Sequence, residues 1–542
     1  MMAPQAPTGT TTIEIPSFGK IKGLLFPSGI RQFCGIPYAQ LQKRWTRSTL
    51  NTSLPGHYHD GTQHGPICPQ PPEYKGDDLT ILVPPFPHFK PPLEDDLHCL
   101  NLNLVLPPSH TPGPHPVLVW IHGGSFLFGS STSPAYDMAR LVAYSTARGT
   151  PVIGVSINYR VGLFGFLASH CIARALGPSA GAGNFGLTDQ QTALEWLQRH
   201  IASVGGDPGN VTIFGESAGG MSVAHQVWAA RPAPFARAVS MSGTLNTIPA
   251  WGVEKHERRF GALLRHLGIV DVDPASEEAL ERLRSVSQLD IAAATCAIEG
   301  AVGATANPCD DGWFHAQTPS LADIGSPPEW LRGYMIGDVR DEAMIFRGAL
   351  DDQDYGSVRE KFVRFMGEES VEIVLRLYGI HPEVTHAELE QRFEEMASDG
   401  IFKVQTYLHA HASKVPQTYA YHVDQVSTLE NPLKGLAYHA IDLLYVFMNL
   451  EEQMSEGQRK LARKMAGDFI DFAYGKEPWE RFGGGNWMVY GPDDRWSVKT
   501  EKEDEAERQY GRMRKILDMS VFPQWAEALD YIVNKRWILG AA

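Results

Sequence analysis

Short, largely apolar runs alternate along this chain with longer stretches in which apolar residues recur every three or four positions. Pro116-Val117-Leu118-Val119-Trp120-Ile121, Val152-Ile153-Gly154-Val155-Ser156-Ile157, Asn210-Val211-Thr212-Ile213-Phe214 and Phe235-Ala236-Arg237-Ala238-Val239-Ser240-Met241 are of the first kind. Runs apolar on both faces read as buried strands of a parallel sheet. Helical spacing marks the stretches between them. Ala193, Leu194 and Leu197 follow a helix start near Asp189, an acid suited to the positive end of a helix dipole. Met221 to Trp228 reads as a helix, and Leu461, Met465, Phe469 and Phe472 mark another. The chain opens with a hairpin, Thr11–Ile15 and Ile21–Phe26. It closes with strands at Trp487–Tyr490 and Trp496–Val498 and a helix near Pro523 to Lys535. The pattern predicts an α/β fold with a large, mostly parallel central sheet flanked by helices.

Two helical blocks interrupt the alternation, at about 250–300 and 355–410. In the first, Asp273-Pro274 reads as the N-cap and first position of a helix carrying Leu280, Leu283 and Val286. These insertions are expected to cover the C-terminal edge of the sheet and form pocket walls. No linker, repeat or charge block divides the 542 residues, so 1–542 is expected to be a single domain. A net charge of −15 argues against nucleic acid or an anionic membrane as partner. No apolar run is long enough to span a membrane. Met1 to Thr8 has neither a basic nor an apolar signal region, and Arg536–Ala542 carries no sorting signal. The expectation is a cytoplasmic monomer or homodimer, or a secreted one if the N-terminus is trimmed.

Gly215-Glu216-Ser217-Ala218-Gly219-Gly220 lies between a predicted strand and a predicted helix. That context turns Gly-x-Ser-x-Gly into a nucleophile turn, lifting Ser217 above the sheet end beside the free N–H groups of a helix start. The alternative is a glycine-rich turn with an inert serine. Upstream, His122-Gly123-Gly124-Ser125-Phe126 follows a strand and resembles the His-Gly-Gly-Gly loop of esterases and lipases, with Ser125 at the third Gly. Ester cleavage passes through an oxyanion that needs several N–H donors aimed at one point. Matching positions makes the Gly124, Ser125 and Ala218 N–H groups those donors. A plain Gly turn after a strand is the alternative.

Phe33-Cys34-Gly35-Ile36-Pro37-Tyr38-Ala39, followed by Arg44-Trp45, adds a wider resemblance, to the type-B carboxylesterase/lipase family that includes the cholinesterases. Its members carry Phe-x-Gly-Ile-Pro-Tyr-Ala and then Arg-Phe or Arg-Trp. The resemblance implies an α/β-hydrolase fold and a Ser–acid–His order. Tyr334-Met335-Ile336-Gly337-Asp338-Val339-Arg340-Asp341-Glu342-Ala343 resembles the segment bearing the family's acid and selects Glu342, with Asp338 and Asp341 as competitors. Gly435-Leu436-Ala437-Tyr438-His439-Ala440-Ile441-Asp442 resembles the segment bearing its base. It selects His439 from 20 histidines, with Asp442 tying down the loop. His200 reads as a polar helix end, and His409, His411 and His422 as helix-surface or strand residues. Phe126, Glu216, Ser242, Trp313 and Phe314 are candidate pocket residues, core packing being the alternative for the aromatics.

The resemblance also implies a Cys68–Cys99 disulfide, the alternative being two reduced, buried thiols. Cys296 and Cys309 could pair, but Cys309 reads as packed and free. Arg160 and Asp189 match a buried structural ion pair of the family. Arg44 lacks its usual acid, since Leu97-His98 precedes Cys99. Either Glu94, Asp95 or Asp96 replaces it or the pair is absent. No metal-ligand spacing and no cofactor motif occurs. The expected activity is hydrolysis of a small-molecule carboxylic ester through an acyl-enzyme. Two other readings use the same fold: an acyltransferase of specialised metabolism and a non-catalytic binding protein.

Overall fold

The computed structural model describes residues 6–72, 92–299, 306–317, 319 and 324–534. Residues 1–5 and 536–542, and the expected helix end at Lys535, lie outside them. One 13-stranded sheet organises the described residues. Its main path uses β1 (Gly9–Ile15), β2 (Gly19–Leu25), β3 (Arg31–Pro37), β4 (Asn101–Leu106), β5 (His115–Ile121) and β6 (Ile153–Ile157). It continues with β7 (Gly206–Glu216), β8 (Arg237–Met241), β9 (Gly333–Val339), β10 (Thr418–Val423), β11 (Asn486–Tyr490) and β12 (Trp496–Thr500). The spatial order is β1-β2-β3-β4-β6-β5-β7-β8-β9-β10-β11-β12, with a short strand Tyr58–Asp60 beside β2. From β6 to β11 every pairing is parallel. The margins, β1 to β4 and β12, are antiparallel.

Why β5 is apolar throughout follows from its position. Val117, Val119 and Ile121 enter one core, and Leu118 and Trp120 enter the other. The first core is covered by α1 (Phe185–His200) and α2 (Ala218–Val227), which contribute Phe185, Leu194, Trp196 and Val223. The second is covered by helices Ile441–Phe447 and Glu456–Ala473, through Phe447, Leu461 and Phe469. Trp120 packs at 5.0 Å from both Phe214 and Phe447. Full burial of each such side chain contributes on the order of 1.5–3 kcal/mol.

Both predicted blocks are helical. The first holds Val253–His266, Glu277–Ser285 and Gln288–Glu299. The second holds Tyr355–Met366, Glu368–Leu377, His386–Ala397, a π-helical turn Ser398–Lys403 and Val404–Ala412. The expected cap at Asp273 is corrected. The helix begins at Glu277, and Ser276 Oγ accepts the Ala279 N–H at 3.1 Å. Asp273 instead accepts the Ala275 N–H at 3.0 Å, closing the turn that delivers Ser276.

Arg160 grips Asp189 bidentately, at 2.7 and 2.8 Å, with both side chains buried. Arg44 does have an acid: its Nε pairs with Asp96, which replaces the family's usual glutamate. The expected disulfide is absent. Cys68 and Cys99 are free, buried thiols. They lie side by side, and the contact with Cys68, then burial, raises the Cys99 thiol well above its ordinary pKa. Cys68 Sγ accepts the Val161 N–H at 3.4 Å, so the sulfur is satisfied without a crosslink. Cys309 is likewise a free, buried thiol, and Cys296 is buried.

Candidate active site

β7 runs through Gly215 and Glu216, and α2 starts at Ala218. Between them Ser217 has φ 56° and ψ −125°, outside the regions open to ordinary residues. Three contacts hold that strain. Ser217 N–H donates to Met241 O at 2.9 Å, and Met221 N–H donates to Ser217 O at 2.9 Å. At Gly219 a Cβ would lie 2.0 Å from Ile121 O, so only glycine lets α2 pack against the end of β5. Such strain survives only where surrounding packing over-determines it, typically at functional sites.

The loop after β5 lies against this turn. A Cβ on Gly123 would meet Glu216 O at 2.6 Å and Ser217 Cβ at 3.1 Å. Gly124, Ser125 and Phe126 all have positive φ, at 109°, 53° and 59°, so the chain curls on itself. Gly124 O accepts from Leu127 and Phe128 N–H at 2.8 and 3.0 Å, fixing the curl. His122 stacks on Tyr159 at 4.3 Å, and Tyr159 OH donates to His122 O at 2.8 Å. Burial holds His122 neutral, with its pKa lowered to about 4. Among the described residues, the N–H groups of Gly124, Ser125 and Ala218 meet no acceptor.

Glu342 follows β9, and its Oε1 accepts the Val339 N–H at 2.9 Å. Its Oε2 lies 2.5 Å from His439 Nδ1, so Nδ1 carries the proton and Nε2 faces the other way. Nε2 lies 3.0 Å from Glu216 Oε1, which brings His439 to the residue preceding Ser217. Burial works to lower the His439 pKa. The Glu216 and Glu342 charges and the Glu342 hydrogen bond outweigh it and raise the value to about 9. The competing acids have other work. Asp341 accepts the Ala437 N–H at 2.7 Å and so holds the loop that bears His439. Asp338 lies 2.7 Å from His422 and 2.6 Å from Arg508. Asp442 is buried and accepts from Tyr421 OH at 3.2 Å. Burial and the Glu342 charge raise its pKa to about 7.

The pocket candidates divide. Glu216 faces His439, and Ser242 lies one strand over, its N–H donating to Gly337 O at 2.8 Å. Phe126 is wholly buried against Phe166, 4.6 Å away, and is a core residue. Trp313 lies between Arg47 and Arg231, at 4.3 and 4.7 Å. Phe314 O accepts the Ala230 N–H, beyond the far end of α2 from Ser217. The ten residues of α2 alone separate Ser217 from that end by about 15 Å. His200 is buried between Phe18 and Trp196, each at 4.9 Å, and His409 is also buried. Sequence reading missed two supports. Phe402 packs 5.0 Å from the His439 ring, and Ser398 Oγ accepts the Ala343 N–H at 2.9 Å. Both sit on the π-helical turn, for which no local sequence signal exists. Among the described residues no group of three His, Cys, Asp or Glu side chains could hold a metal ion, and no helix is long and apolar enough to cross a membrane.

Residues 9–516 match the profile of the carboxylesterase family. Lipase 3 of Yarrowia lipolytica is 31% identical over 86% of this chain and 90% of its own. The para-nitrobenzyl esterase of Bacillus subtilis is 30% identical over 91% of this chain and 96% of its own. Among solved structures, the carboxylesterase of Geobacillus stearothermophilus superposes with a TM-score of 0.74 at 25% identity, covering 93% of this chain and 99% of its own. A PNB esterase superposes with a TM-score of 0.73 at 27% identity, covering 94% and 99%. With an α/β-hydrolase sheet and a family match over nearly its whole length, this chain belongs to the carboxylesterase family and is a carboxylic-ester hydrolase.

Proposed function

We propose that this esterase works through a Ser217–His439–Glu342 triad and an acyl-enzyme. Ser217 Oγ attacks the ester carbonyl while His439 Nε2 takes its proton. Glu342 keeps the Nδ1 tautomer and stabilises the imidazolium. The N–H groups of Gly124, Ser125 and Ala218 bind the oxyanion, each worth on the order of 3–4 kcal/mol of barrier. His439 then protonates the departing alcohol. Water, deprotonated by His439, attacks the acyl-Ser217 ester and releases the acid, returning the proton to Ser217. The observation that carries this reading is the Glu342–His439 pair at 2.5 Å, presented to a strained Ser217 turn beside three uncommitted N–H donors.

The test is hydrolysis of p-nitrophenyl esters from acetate to palmitate by wild type and Ser217→Ala. The reading expects kcat to fall by on the order of 10⁴ or more in the variant, with folding unchanged. It also expects a pre-steady-state burst of p-nitrophenol in the wild type on any ester whose deacylation is slow. A folded Ser217→Ala protein that retains activity would remove Ser217 from the mechanism. The chain-length optimum separates a small-ester esterase from a lipase.

A further inference from the structure

A groove of about 620 Å³ opens at the edge of the sheet opposite Ser217. Among the described residues it is lined by Arg237, Arg332, Lys414 and Arg481, with Glu329 as its one acid. Topology sets its place. Arg237 opens β8, Arg332 immediately precedes β9, and Lys414 and Gln417 precede β10. All are at the N-terminal ends of parallel strands. From Arg237 to Met241, whose carbonyl holds Ser217, is about 13 Å along β8.

The charge in this groove is unbalanced. Arg481 pairs with Glu477 at 2.6 Å. Among the described residues, Arg237, Arg332 and Lys414 have no ion-pair partner. Arg237 is the telling case, because it is only 7% exposed. Its Nη1 donates to the neutral oxygens of Asn210, at 2.6 Å, and Ala473, at 3.5 Å. Its Nε meets no acceptor among the described residues. A Cβ on Gly475 would lie 2.2 Å from Nη2, so the glycine leaves the room this guanidinium occupies. Burial, and to a lesser extent the Arg332 charge, lower the Arg237 pKa. Burying a cation without an anion is costly, and a chain of net charge −15 has no shortage of carboxylates with which to satisfy it.

We propose that this groove binds a multivalent oxyanion, a phosphoryl or polycarboxylate group, held by Arg237, Arg332 and Lys414. A planar guanidinium matches two oxygens of such a group, and the ammonium adds a third, movable donor. The site is separate from the ester-cleaving centre and needs no change in it.

Calorimetric titration of the full chain with sodium pyrophosphate and with citrate, against chloride at matched ionic strength, tests this. Wild type is expected to bind at least one of the two saturably. Pyrophosphate alone assigns a phosphoryl group, citrate alone a polycarboxylate, and both an oxyanion site without preference between them. The double variant Arg332→Gln/Lys414→Gln changes exposed side chains and is expected to fold as wild type. It should bind about tenfold or more weakly and hydrolyse p-nitrophenyl acetate at the wild-type rate. No saturable binding by wild type, or equal affinity in the double variant, would overturn the proposal.

Discussion

His439 lies between two carboxylates, and its charge follows from that. Glu342 holds Nδ1 at 2.5 Å and Glu216 faces Nε2 at 3.0 Å. A pKa raised to about 9 keeps most of the resting imidazole protonated at neutral pH, so only its neutral fraction acts as base there. The kcat/KM profile of the wild type is therefore expected to climb through neutrality to a limb near 9. Replacing Glu216 with Gln removes one charge next to the ring. The limb should move down by about one unit or more, the scale on which a charge at this distance acts. Stability carries the same signature. A raised histidine pKa contributes stability that is complete below the unfolded value, 6.5, and is lost as pH rises through about 9. The melting temperature of Glu216→Gln should therefore fall less than that of wild type between those two values. A limb that stays in place in the variant would show that Glu216 does not set the charge of His439.

Among the elements, the helix after Asp273 separates what a local pattern can show from what it cannot. Asp-Pro is a good start signal, yet Ser276 is the residue that reaches a helical N–H. Ser276→Ala is expected to cost about 1 kcal/mol in urea unfolding, the usual value of a lost cap. Asp273→Ala should cost less, since it closes only the preceding turn, and a larger effect at Asp273 would restore the sequence reading. The same division runs through the site. The Ser217 turn was legible because its strand, glycines and helix are contiguous in sequence. So were the two segments that bring Glu342 and His439 into contact, through motifs only a few residues long. The π-helical turn behind His439 was not, because its geometry comes from packing: Gly400 sits so close to Leu529 that a Cβ would lie 2.2 Å from Cδ1. Trp313 misled for a related reason. An aromatic residue near a site in sequence says nothing of its partners, and here two arginines take its faces.

For the molecule as a whole, the parallel sheet was legible in its apolar strands, while the clamp that ties its far half to the C-terminal helices was not. Arg508, at the end of helix Glu501–Arg508, pairs with Asp338 at the end of β9 at 2.6 Å and with Asp424 just after β10 at 2.5 Å. The three residues are distant in sequence and have no motif in common. All are about 1% exposed. Burial works to raise the Asp338 pKa, but the charges of His422 and Arg508 outweigh it and hold it below its ordinary value. Asp338 therefore contributes stability above its unfolded pKa of 3.8, lost as pH falls through the lower folded value. Arg508→Met leaves Asp424 facing an apolar side chain and Asp338 with His422 as its remaining partner. The expected cost at neutral pH is about 3–5 kcal/mol, typical of removing one partner from a buried ion pair. Because the variant's carboxylates can escape by taking up protons, the gap from wild type should narrow as pH is lowered from 7 toward 5. Arg508→Lys keeps the charge but not the fork, and should fall between the two. Urea midpoints of the three proteins at both pH values measure this. A deficit in Arg508→Met that does not shrink on acidification would mean that lost packing, rather than stranded charge, is what the arginine prevents.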